Sequence, residues 1–257
     1  MILTRFGTLT LFPKTTFEED LMQYSINTPN ANVVLMLNGR TVPVYYHGGR
    51  YYIESVVGAE LTIDVTSNLH DRQAEILVSV DGRHVLRNEP ANFSNRGMVV
   101  RPYGTWNVQG WLIDDQHTAP IVIGRANSDS VAAQTAGSNA NAEVIGIAIF
   151  PEYKRPVYRE NNLRSLGLGD EPVAKGITMR GGLESFSASS GTAAHMGDRT
   201  DRVNYGKTQF TRADEFTPAT MIEVHYKTRE WLVAHGIIGE DLPSAFGGTG
   251  YGNLRRG

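Results

Sequence analysis

From residue 32 to residue 150 the apolar positions fall in short runs, most of them alternating with polar ones and separated by turn residues. Residues 32–37 are apolar, Asn38-Gly39-Arg40 follows, and residues 41–46 return. Asn-Gly between apolar runs predicts a hairpin, because both residues tolerate positive φ. His47-Gly48-Gly49 turns the chain into residues 50–57, and residues 60–66 alternate as a half-buried strand does. Residues 73–80, the turn Asp81-Gly82 and residues 83–87 predict another hairpin. Residues 97–101, 105–113, 119–124 and 143–150 complete the series. Short strands with turn chemistry between them and hardly any helix predict a mainly β fold, an antiparallel β-sandwich or jelly-roll core.

Outside this block the pattern changes. Residues 1–12 alternate loosely up to Pro13, and residues 15–24 fit a short helix capped by Thr15 or Thr16. The stretch 125–142, rich in Ala, Ser, Asn and Gly, reads as a surface loop. After Phe150 no period of 2 or 3.6 is sustained until residues 219–226, an alternating strand. Thr228 then caps a short helix that Gly236 stops. The expected organisation is therefore an N-terminal strand and helix over 1–31 and a β core over 32–150. An extended Gly- and Pro-rich arm over 151–209 and a small β-α element with a flexible tail over 210–257 follow.

Composition narrows the function classes. The 257 residues include no Cys, so a disulfide-stapled module, a thiolate nucleophile and Cys-ligated zinc are excluded. No apolar run approaches the roughly 20 residues of a membrane span, and no membrane partner is expected. The start shows no basic region followed by an apolar core, so no signal peptide is expected. Net charge is −3, with 10 basic and 14 acidic residues before Pro151 and 14 and 13 from there on. Nothing global attracts nucleic acid, and none is expected as a partner.

The candidate sites are weighed against plainer roles. Asp114-Asp115-Gln116-His117 is the densest ligand-like cluster, but adjacent carboxylates in a strand point to opposite faces, and a solvated turn is the simpler reading. Asn127–Ser130 offers oxygen ligands without a spaced acidic frame. Ser187-Ala188-Ser189-Ser190-Gly191, with His195 after it, lacks the strand-turn-helix setting of a nucleophile elbow. Gly247–Gly252 resembles a phosphate loop only in its glycines. Tyr45, Tyr46, Tyr51 and Tyr52 flank a Gly-Gly turn; alternation puts Tyr46 and Tyr51 on one face as a conceivable ring-lined ligand strip. Trp106 and Trp111 are expected in the core, and Trp231 docks the late helix. Tyr153, Arg155, Tyr158, Arg159 and Phe186 are the expected interface anchors of the arm, Tyr and Arg being common anchors and Pro reducing the entropy of ordering. No catalytic residue, metal site or cofactor is expected.

Residues 76–86 (Ile-Leu-Val-Ser-Val-Asp-Gly-Arg-His-Val-Leu), 97–105 (Gly-Met-Val-Val-Arg-Pro-Tyr-Gly-Thr) and Gln109-Gly110-Trp111-Leu112 resemble uncharacterised β-sandwich proteins of bacteria and tailed phages. Those proteins share a Val-Asp-Gly hairpin, a Gly…Pro strand and a Gly-Trp strand. Phe210-Thr211-Arg212 and the stretch 226–237 resemble their C-terminal end, so the likeness covers 33–150 and 207–238. It implies a fold and a phage association, and no active-site residue. The resulting expectation is a non-enzymatic virion component, made in a host cytoplasm. It would be a capsid-associated cement, decoration or minor capsid protein whose partners are capsid subunits and copies of itself. Tail or collar placement and a carbohydrate- or receptor-binding sandwich are the alternatives.

Overall fold

The computed structural model describes residues 23–114, 116–154, 190–203 and 208–239. The strands begin with β1 (Ile26–Asn27), β2 (Ala31–Leu37), β3 (Arg40–Thr41), β4 (Tyr45–His47), β5 (Arg50–Glu54) and β6 (Glu60–Ser67). They continue with β7 (Ala74–Val80), β8 (Arg83–His84), β9 (Met98–Val100), β10 (Thr105–Val108), β11 (Gly110–Asp114) and β12 (His117–Arg125). Helix α1 (Val131–Ala136) precedes β13 (Val144–Pro151), and β14 (Thr192–Met196), β15 (Asp201–Arg202), β16 (Thr220–Lys227) and α2 (Arg229–Ala234) follow. The protein is mainly β, as the patterning predicts.

The described strands form two sheets. The first runs β1-β2-β6-β12-β11, with β3 on β2, β10 on β6, and β14 and β15 on β12. The second runs β4-β5-β16-β13-β7-β8, with β9 on β7. Among the described strands pairing is antiparallel except between β16 and β5, which run parallel with Val224 opposite Tyr51. The second sheet is therefore mixed, where the hairpin pattern predicted antiparallel pairing throughout. Residues 219–226, expected in a small β-α element, form β16, which lies between β5 and β13 inside the sheet.

The turns follow their residues. Asn38 (φ 51°) and Gly39 (φ 72°) link β2 to β3, and Asp81 (φ 52°) and Gly82 (φ 76°) link β7 to β8. Both pairs have the left-handed conformation that a two-residue hairpin needs. Alternation is strict in β2 and β6, whose inward residues Val33, Leu35, Ile63 and Val65 are buried. They share one apolar cluster with Ile76, Val78, Ile147 and Val224 of the second sheet. Each fully buried side chain of this size contributes roughly 1.5–3 kcal/mol.

The span expected to be one strand over 105–113 is divided between β10, which pairs with β6, and β11, which pairs with β12. Gly110 lies at the break, where a Cβ would come within 2.1 Å of the Ala119 carbonyl oxygen. Close passage of two backbones requires glycine there. Trp106 and Trp111, on either side of it, are both buried, as expected. The loop expected over 125–142 contains α1, which buries Val131 and Ala132. Within the expected arm, β14 and β15 pair with β12, so residues 192–196 and 201–202 belong to the first sheet. The helix expected over 15–24 lies outside the described residues except for its last two positions, which are not helical.

Candidate functional site

The Tyr-rich hairpin is built by Gly48 and Gly49, at φ 56° and 81°, which bring Tyr45 opposite Tyr52 and Tyr46 opposite Tyr51. Each pair shares a face, as alternation predicts. Tyr45 and Tyr52 receive the late helix: the Tyr52 ring stacks on Trp231 at 6.0 Å, beside Leu232 and Ile237. Thr228 caps that helix, accepting the Trp231 N–H at 3.3 Å. Tyr46 and Tyr51 lie on the opposite face, with ring centroids 5.0 Å apart and planes at 51°. Tyr46 is 51% exposed, whereas Tyr51 packs against the main core. Burial, and then Tyr46, raise the Tyr51 hydroxyl above its ordinary pKa. The expected strip thus consists of one open ring leaning on a half-buried one. Strand β4 ends the described order of the second sheet, paired with β5 on one side and preceded by Val44, which bridges to Gln23.

Tyr153 is exposed, and its N–H donates to the Thr211 carbonyl at 2.8 Å. Arg155, Tyr158, Arg159 and Phe186 lie outside the described residues, as do Asp115, Ser187, Ser189 and the Gly247–Gly252 loop. Asp114 closes the β11–β12 turn: its carboxylate accepts the Gln116 and His117 N–H groups at 2.8 and 2.9 Å and meets His117 Nδ1 at 2.9 Å. Asn127 Oδ1 accepts the Asp129 N–H at 2.8 Å, and Ser130 donates to the Asn127 carbonyl at 2.7 Å, which closes the turn before α1. The His195 ring lies over Gly124, with Nε2 3.0 Å from the Arg125 carbonyl oxygen. Among the described residues no group of three or more His, Asp or Glu is placed to hold a metal ion.

Two buried ionic clusters had not been expected. In the first, Glu143 accepts from the Ser190 and Thr192 N–H groups at 2.9 and 2.8 Å, from the Thr192 hydroxyl at 2.8 Å, and from the Ser190 hydroxyl. Lys227 Nζ completes the set at 2.5 Å. Burial raises the Glu143 carboxyl, but hydrogen bonds from Lys227, Ser190 and Thr192 outweigh it and hold the group below its ordinary value. A carboxylate so saturated is a weak base.

Asp81 lies in the same region. It accepts from Tyr226 Oη at 2.6 Å, from the Ala194 N–H at 2.6 Å and from the Val144 N–H at 3.3 Å. Burial lifts its pKa to about 6 in spite of these donors. Asp81 and Glu143 together fasten β14 of the first sheet to β13 and β16 of the second.

The second cluster is on the outer face of the second sheet. Glu75 accepts Arg212 Nε at 2.7 Å and the Gly97 N–H at 2.6 Å. The Arg212 guanidinium also donates to the carbonyls of Asn95 at 2.6 Å, Glu215 at 2.8 Å and Phe93, and lies 3.8 Å from the Phe150 ring centroid. It clamps loop 92–97 to the sheet. In sequence Glu75 is the one charge inside an apolar run, which is the signal that could have revealed a buried partner.

No protein-family model matches the chain, and no curated protein or solved structure shows significant similarity to it.

Proposed function

We propose that the protein is a non-enzymatic structural component of a phage-like particle, a capsid-associated cement, decoration or minor capsid protein, and that its two sheets make a β-sandwich of jelly-roll type. The observation that carries the reading is Tyr46, 51% exposed on β4, the strand that ends the described order of the second sheet and is flanked at Val44 by a bridge to Gln23. An exposed aromatic at the end of the described sheet suits side-chain docking by a neighbouring subunit. The shared apolar core supports the sandwich, and the saturation of Glu143 and Glu75 supports structural rather than catalytic roles for the buried carboxylates. Placement in a virion rests on the resemblance of residues 33–150 and 207–238.

The test is antibody labelling of gradient-purified particles from an induced culture of the source cells. Regular labelling of shells is expected, with less incorporation of Tyr46→Ala. Antigen confined to the soluble fraction overturns the reading. The exposed Tyr46 ring favours one alternative, carbohydrate binding by stacking. Saturable signal on a glycan array that disappears in Tyr46→Ala and Tyr51→Ala would replace the particle role with that one.

A further inference from the structure

On the outer face of the second sheet one row of residues runs from an acid towards a base. Strand register sets Glu223 of β16 beside Gly146 of β13, Gly146 beside Ser79 of β7, and Ser79 beside His84 of β8. Strand spacing makes that row roughly 14 Å long. Arg87 follows at its far end, close enough to act electrostatically on His84. Glu223 and Arg87 are both exposed, and neither forms an ion pair with a described residue. The other charges near by are already matched: Arg212 and Arg96 hold Glu75, Arg96 also pairs with Glu215, and Glu89 accepts from Asn95.

Between the two charges the face is apolar and hollow. The next outward row is Met221, Ala148 and Leu77. Small residues at 79, 146 and 148 leave a cavity of about 370 Å³ above the strands. Met221 and Phe93, the latter from the loop that Arg212 clamps, stand at its edge, 58% and 40% exposed. An exposed apolar patch with a polar rim marks an interaction site. The order acid, hollow, base further selects what covers it. A half-turn about an axis along the strands, through the middle of the row, lays Arg87 of a second copy on Glu223 of the first, and the reverse. The same half-turn sets each Met221 against Leu77 and Phe93 of the facing copy, and its flexible thioether adapts to such a recess. A partner with a single charge would leave the other end bare; a second copy answers both.

We propose that the outer face of the second sheet forms a two-fold symmetric dimer with a second copy of this chain, Met221 and Phe93 at its centre and a Glu223–Arg87 pair at each end. The inference is independent of the particle role: it is read on the purified chain, and its failure leaves docking through Tyr46 standing. The test is sedimentation velocity of the full chain at concentrations from about 1 μM to about 1 mM, which spans moderate to weak association. A monomer–dimer equilibrium is expected. Met221→Lys, at an exposed position of β16, should raise the dissociation constant at least about tenfold by bringing a charge into the apolar centre. Glu223→Arg alone and Arg87→Glu alone should each weaken the dimer, because like charges then face each other at both ends. Mixed in equal amounts, these two variants should form a heterodimer about as tight as the parent dimer, since every Arg meets a Glu again. A monomer at every concentration, a dimer indifferent to Met221→Lys, or charge variants that stay monomeric when mixed each overturns the proposal.

Discussion

His84 and Lys227 are buried for opposite electrostatic reasons, and each carries a test. Burial, with Arg87 adding to it, holds His84 near pKa 4, against 6.5 for a free imidazole. Between those values only the unfolded chain takes the proton, so this group's contribution to stability falls as pH drops from about 6.5 to about 4. His225, also near 4 through burial and then Lys227, acts in the same direction. Asp81 acts the other way: at about 6 it binds its proton more tightly in the fold, so its contribution rises as pH falls through that value. Two histidines against one aspartate leave a net acid loss, of which His84 supplies about 3 kcal/mol when fully titrated. Urea unfolding of His84→Phe between pH 7 and 4 should show a flatter acid limb than the parent chain; equal slopes would mean that His84 titrates normally. Lys227 is the charged partner of a fully buried carboxylate, so Lys227→Met should cost about 3 kcal/mol at pH 7 by the same method. Arg199→Ala, which breaks exposed pairs with Glu60 and Asp201, should leave the midpoint unchanged.

Among the elements, the two strand glycines Gly110 and Gly146 separate backbone approach from side-chain space. At Gly110 a Cβ meets a carbonyl oxygen, which cannot move without parting β11 from β12. At Gly146 it meets only the rotatable Ser79 hydroxyl. Gly110→Ala should therefore cost about 2–3 kcal/mol, and Gly146→Ala less than about 1 kcal/mol, by thermal or urea unfolding. A reversed order would place the close approach elsewhere. These contrasts also mark how far the sequence could be read. Turn residues with special backbone needs announced the hairpins at Asn38-Gly39, Gly48-Gly49 and Asp81-Gly82 because their requirement is local. Strand β14 was missed because Thr192-Ala-Ala-His-Met carries no branched apolar alternation, and it is held by ladder bonds to β12 and by Asp81. The continuous run Ile76-Leu77-Val78, read only as one arm of a hairpin, carried the signal of burial on both faces of β7, but not that a loop and a clamp cover the outer one.

At the scale of the whole molecule, pairing order was the illegible part. A period of two tells which face a residue takes and nothing about which strand lies beside it. The partners Tyr51 and Val224 are separated by most of the chain, so no local pattern could link them. The candidate site divides in the same way. The shared face of Tyr46 and Tyr51 followed from alternation, while Glu143, Lys227 and Ser190 come from three distant segments and meet only once both sheets are assembled. A fragment ending at residue 154 lacks β16, and with it the pairing of both β5 and β13. Static light scattering should show that fragment aggregating where the full chain stays dispersed, since two long apolar edges would be open. A dispersed fragment with a cooperative unfolding transition would contradict this.

The position of β16 also has a consequence for synthesis. Once the ribosome has passed residue 151, β7 and β13 can already pair, but the slot between β13 and β5 stays empty until residue 227 has emerged. At roughly 5–20 residues per second that interval lasts several seconds, during which the nascent chain carries two unpaired strand edges in a crowded cell. Closure at so great a sequence separation is slow as well. Selection on this chain therefore acts on its half-made form as well as on its finished one, and the cell that makes it must shield those edges until β16 arrives.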